Sequence, residues 1–116
     1  MRVYIAATPQ QVNSLLAAPI QIDEYLTPEQ FNFDNSVDPE EQEHLISLLA
    51  AEDALELNGG RFGLVIAADL DDAQLESETF TLKFEQVASL LYSSDGETLS
   101  WFAPEEIQYQ IKEWLQ

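Results

Sequence analysis

The chain contains no cysteine. That excludes disulfides, thiolate nucleophiles and cysteine-ligated zinc. A single histidine, His44, excludes a histidine-rich metal centre and leaves little room for a serine–histidine–aspartate triad. Only four residues are basic: Arg2, Arg61, Lys83 and Lys112. They are scattered and form no stripe. No stretch approaches the roughly eighteen apolar residues of a membrane span. The opening MRVYIAATPQQ lacks the apolar stretch of a secretory signal, so a cytoplasmic location is expected. A glycine-rich phosphate loop is also missing. Gly59, Gly60 and Gly63 precede a strand instead of following one, and read as a helix stop.

What the chain has in quantity is negative charge. Its 116 residues carry 22 acidic side chains, for a formal net charge of −18, and 46% of them are hydrophobic. That length makes one domain, and the apolar content suffices for a core. A folded chain of this mass exposes roughly 6,400 Å², about one net negative charge per 350 Å². Such a surface repels nucleic-acid phosphates and anionic lipids. The partners it attracts are basic proteins or cations. The same surface also serves solubility alone.

Local patterns predict the order β-α-β-α-β-β-β-β-α. Arg2–Ala6 is β-branched and aromatic, and apolar enough for a central strand. Thr8, Pro9 and Gln11 form a helix start with a capping box, and Pro19 ends that helix. Ile20–Ile22 suits an extended segment. Thr27–Gln30 repeats the capping pattern over a single turn, and Phe31–Phe33 alternates like a short strand. Asp38-Pro39-Glu40-Glu41 opens a helix that runs to Leu57 and stops at Asn58-Gly59-Gly60. Its apolar residues surround most of its circumference, which predicts cover on two sides or a homo-oligomer contact through Leu45–Leu57. Leu64–Ala68 is apolar on both faces, as a central parallel strand would be. Thr79–Phe84 alternates, Ala88–Ser93 follows as a strand, and Asp95-Gly96 marks a hairpin turn into Thr98–Phe102. Pro104 opens a last helix with Ile107, Ile111, Trp114 and Leu115 on one face. The expected fold is α/β or α+β: a mixed sheet with parallel central strands, later antiparallel strands, and helices packed on it.

The MRVYIAAT opening, the DPEEQEHLISLLAAEDALEL helix and the LVIAADL strand resemble a family of small actinobacterial proteins. Members of that family open MRVY...AT and carry a later VVVAAD-type strand, often with proline where Ala6 stands. The resemblance implies a small cytoplasmic bacterial protein. It carries no activity, cofactor or catalytic residue over to this chain.

One constellation points to chemistry. Asp69, Asp71 and Asp72 follow the Leu64–Ala68 strand, and open α/β sheets bind ligands beyond their strands' carboxyl ends. If that strand lies parallel to Arg2–Ala6, Thr8 and its helix's amino end share the edge with Asp69. A site of Thr8, Asp69, Asp71 and Asp72 would then hold a divalent cation on Asp69 and Asp71. The alternative is that Asp69 serves local backbone donors and Asp71 caps the turn Asp72–Leu75. His44, three and four residues after Glu41 and Glu40, reads as a solvent-facing side chain. Trp101, Tyr109 and Trp114 form either an exposed patch or, for Trp114, part of the core.

Two functions follow. The favoured one is a non-catalytic interaction or regulatory protein with a basic partner. The other is a small cation-dependent enzyme or ligand-binding protein that uses the strand-edge carboxylates. Either way, the charge predicts no retention of duplex DNA or RNA at physiological salt. Filter binding or fluorescence polarisation checks this, and tight, salt-sensitive binding would contradict it.

Overall fold

The computed structural model describes residues 1–115. It consists of β1 (Arg2–Ala7), α1 (Pro9–Ala17), β2 (Ile20–Ile22), α2 (Pro39–Leu57), β3 (Gly63–Asp69), α3 (Asp72–Leu75), β4 (Phe80–Leu82), β5 (Val87–Ser93), β6 (Ser100–Phe102) and α4 (Pro104–Trp114). Single 3-10 turns at Pro28–Gln30 and Phe84–Gln86 complete it. The strands form a four-stranded sheet in the order β1-β3-β5-β6 and a separate β2-β4 pair.

Every pairing is antiparallel. This corrects the expected parallel pairing of the two apolar central strands. Two helices, not one, separate β1 from β3, and α2 ends beside the carboxyl end of β1. There the Asn58 side-chain amide donates to the Ala7 carbonyl at 3.5 Å. The chain re-enters the sheet next to Ala7, pairs Leu64 with it, and can only run back until Asp69 meets Arg2. A strand apolar on both faces reports cover on both faces, not direction.

The cover is real. Val3, Ile5, Leu64, Ile66 and Ala68 face a layer made by α1, α4 and the β2-β4 pair, whose buried residues include Val12, Leu15, Phe80, Leu82, Ile107 and Trp114. Tyr4, Val65 and Ala67 face α2, through Ile46, Ala50, Ala51 and Ala54. The alternation of β1 and β3 thus serves two cores, one on each side of the sheet.

Local signals set the element ends. The Gln11 amide donates to the Thr8 hydroxyl at 3.1 Å, and the Thr8 amide donates to the Gln11 side chain at 2.8 Å. The Gly60 amide closes α2 by donating to the Leu55 carbonyl at 2.7 Å, with Gly59 and Gly60 at φ +68° and +80°. Such angles cost glycine little and other residues more. Phe31–Phe33, expected as a strand, is irregular. Phe33 packs against the α2 side of the sheet while Phe31 stays exposed, and among the described residues no strand pairs with them. Leu115, expected on the buried face of α4, lies at its end and is exposed.

The cover expected over α2 is only half present. Its alanine face packs on the sheet, whereas Leu45 and Leu49 are each 39% exposed and Leu57 is 56% exposed. The small residues explain the asymmetry. A Cβ added at Gly63 would stand 2.7 Å from the Ala51 carbonyl oxygen and 3.1 Å from the Ala54 Cβ. Helix and strand touch nearly backbone to backbone, so the leucines cannot turn inward. Gly63→Ala should therefore lower the unfolding free energy by about 1–3 kcal/mol. Urea denaturation checks this, and an unchanged midpoint would show that α2 can lift off the sheet freely.

Candidate functional site

The structure separates the residues predicted to form a site. Thr8 follows the carboxyl end of β1, while Asp69 pairs with Arg2 at its amino end. Five strand steps, about 17 Å, lie between these ends. Antiparallel pairing is the cause: the carboxyl end of β3 lies at the opposite edge from the amino end of α1. The shared strand edge expected for Thr8 and Asp69 is therefore corrected.

Each side chain is engaged locally. Asp69 accepts both arms of the Arg2 guanidinium, at 2.9 Å from Nε and 3.1 Å from Nη2. Asp71 caps α3, accepting the Gln74 amide at 3.0 Å, while its own amide donates to Gln74 Oε1 at 3.1 Å. Asp72 is exposed in the first turn of α3. Among the described residues, no three acidic or histidine side chains stand close enough together to hold a metal ion. His44 is exposed on α2. Trp114 is buried against Tyr92 and Phe102, while Trp101 and Tyr109 are 62% and 73% exposed.

A cavity lies elsewhere, at the outer edge of β1. It is a cleft of about 680 Å³ between that edge, the 23–26 segment and the last turns of α2. Tyr4 and Ala6 form its floor, Asp23, Glu24 and Tyr25 one wall, and Asp53, Glu56 and Leu57 the other. Four acidic side chains and no basic one line it. Two backbone hydrogen bonds anchor the near wall: the Tyr4 amide donates to the Leu26 carbonyl, and the Leu26 amide to the Tyr4 carbonyl, each at 2.9 Å. Burial pushes the Tyr4 hydroxyl above its ordinary range, and the Glu43 carboxylate acts in the same direction. Tyr4 therefore stays a neutral phenol at neutral pH. A smaller depression of about 360 Å³ beside α3 includes Asp71 together with Lys83, so its charge is mixed.

Sequence reasoning missed this cleft. Asp53 and Glu56 are one helical turn apart and legible as a pair. Nothing in spacing ties them to Asp23-Glu24, thirty residues earlier in an irregular segment. The Tyr4–Leu26 bridge brings that segment to β1. No family model, curated protein or solved structure matches the chain.

The Arg2–Asp69 pair has a measurable acid signature. The Arg2 hydrogen bonds hold the Asp69 carboxyl below its usual range. A lowered pKa stabilises the fold at neutral pH, and that contribution is lost as pH falls through the folded-state pKa. Both side chains are largely solvated, at 41% and 58% exposure, so the pair contributes less than about 1 kcal/mol. Asp69→Asn should lower stability by that small amount at pH 7, and the difference should fade as acid takes the pH through the lowered Asp69 pKa. Urea titrations of both proteins across pH check this.

Proposed function

We propose that the protein is a non-catalytic interaction protein that binds a basic partner in the cleft beside β1. The observation that carries the reading is the lining of that cleft: Asp23, Glu24, Asp53 and Glu56 converge on it, with no cation among them. Acids spread over a surface serve solubility. Acids gathered around a concave wall with tyrosine and leucine between them suit a ligand with a cationic head and an apolar stem, such as lysine or arginine. No serine, lysine or histidine lines the cleft, which favours binding over nucleophilic catalysis. The overall charge would draw a basic partner in at long range, and the cleft would then hold it.

The setting is taken to be the bacterial cytoplasm, in keeping with the resemblance of the opening and middle segments to small actinobacterial proteins. No helix among the described residues is long and apolar enough to cross a membrane. Leu45 and Leu49 stay available for a contact with a second copy, but Glu41 and Glu52 are exposed on the same helix and favour a basic partner there too.

The test uses an oligolysine peptide of eight residues at low salt. Asp53→Lys combined with Glu56→Lys should weaken binding at least about tenfold, the equivalent of 1.4 kcal/mol. Glu76→Lys combined with Glu78→Lys changes the net charge equally, away from the cleft, and should weaken it far less. Calorimetry distinguishes the two. Equal losses would mean that the peptide senses overall charge and no site.

A further inference from the structure

We infer that the cleft takes its partner as an extended strand, with one lysine or arginine pairing its own backbone with Ala6. This rests on the acidic-cleft reading and adds to it a binding geometry and a sequence requirement.

The argument starts from the ladder. β1 is the edge strand, with β3 on one side only. In an antiparallel ladder, successive residues point their backbone groups to opposite sides. Tyr4 gives both of its groups to Leu26, on the side away from β3. The amide and carbonyl of Ala6, two residues on, therefore point the same way, into the cleft that Ala6 lines. Continued pairing would set Glu24 against Ala6, two residues before Leu26. The chain diverges instead, and no described residue hydrogen-bonds those outward groups of Ala6. Ala6 is half-buried at the floor of the cleft. A donor and an acceptor at strand spacing, set in a cleft, match the backbone of one extended residue.

The register then fixes the side chain. Ala6 packs on the α2 side of the sheet. A residue paired with it directs its own side chain to the same side. There the wall is Asp53 and Glu56. The bridging residue is therefore the basic one, and its neighbours in the strand point to the other face. Pairing does not extend further along β1, because the Thr8 amide already donates to the Gln11 side chain at 2.8 Å. The recognised unit is thus one basic residue between two extended neighbours.

The probe is an acetylated, amidated Thr-Val-Lys-Val-Thr peptide, titrated into isotopically labelled protein and followed by NMR. Binding should shift the Ala6 amide resonance. An N-methyl group on the lysine amide removes the donor to Ala6 and keeps the charge, and should weaken binding at least tenfold. An N-methyl group on the following valine points away from β1 and should leave affinity within about twofold. Equal affinities for the two methylated peptides, whether kept or lost, overturn the strand geometry. So does binding that leaves the Ala6 amide unmoved, or no binding of this peptide while oligolysine still binds at the cleft. No binding of either peptide overturns the acidic-cleft reading itself.

Discussion

The approach of α2 to the sheet governs the rest of the molecule. Gly63 leaves no gap beneath the Ala51 carbonyl, and Ala50, Ala51 and Ala54 present nothing larger than a methyl group to the strands. A helix seated this low covers its face of the sheet with backbone and small side chains. Its leucines are turned outward or to the flanks, and its acids follow them. Asp53 and Glu56 lie on the flank nearest β1, so the same close contact that seals the sheet also raises the acidic wall of the cleft. A larger residue at Gly63 would lift the helix and move that wall.

The other face follows the opposite logic. There α1, α4 and the β2-β4 pair meet the sheet with full-sized side chains, and the aromatic stack of Phe62, Tyr92 and Trp114 closes it at centroid spacings of 5.7 and 5.8 Å. This thick, conventional core supplies most of the buried apolar surface. The thin α2 side is left to shape the molecule's exterior. The Arg2–Asp69 pair joins β1 to β3 at the rim, where water screens it.

Much of this order was legible in the sequence. Capping boxes, proline starts and glycine stops act within one turn, and Thr8-Pro9, Asp38-Pro39 and Asn58-Gly59-Gly60 sit where those signals put them. The alternation of Phe80 and Leu82 and the Asp95-Gly96 turn were equally local. Strand direction was not, because Leu64–Ala68 would look the same whichever way its neighbour ran. The expected site depended on that direction: with β3 reversed, Thr8 and Asp69 fall at opposite ends, and Asp71 is left capping α3. The cleft was illegible for a related reason. It depends on where an irregular segment touches a strand, and the two backbone bonds between Tyr4 and Leu26 leave no mark on side-chain composition.

That small bridge also bears on how molecules meet each other. The sheet has two borders, β1 and β6, on opposite sides. If both were open, the β6 border of one copy could add to the β1 border of the next, a head-to-tail contact that grows into fibres unless its rotation closes a ring. β6 offers only three residues, and Leu26 occupies the middle of β1. Beyond Leu26, the stretch of the β1 border that faces the cleft is a notch one residue wide, at Ala6, with acids in both of its walls. On the proposed reading a short, positively charged guest suits that notch, and another copy of this negatively charged chain is neither.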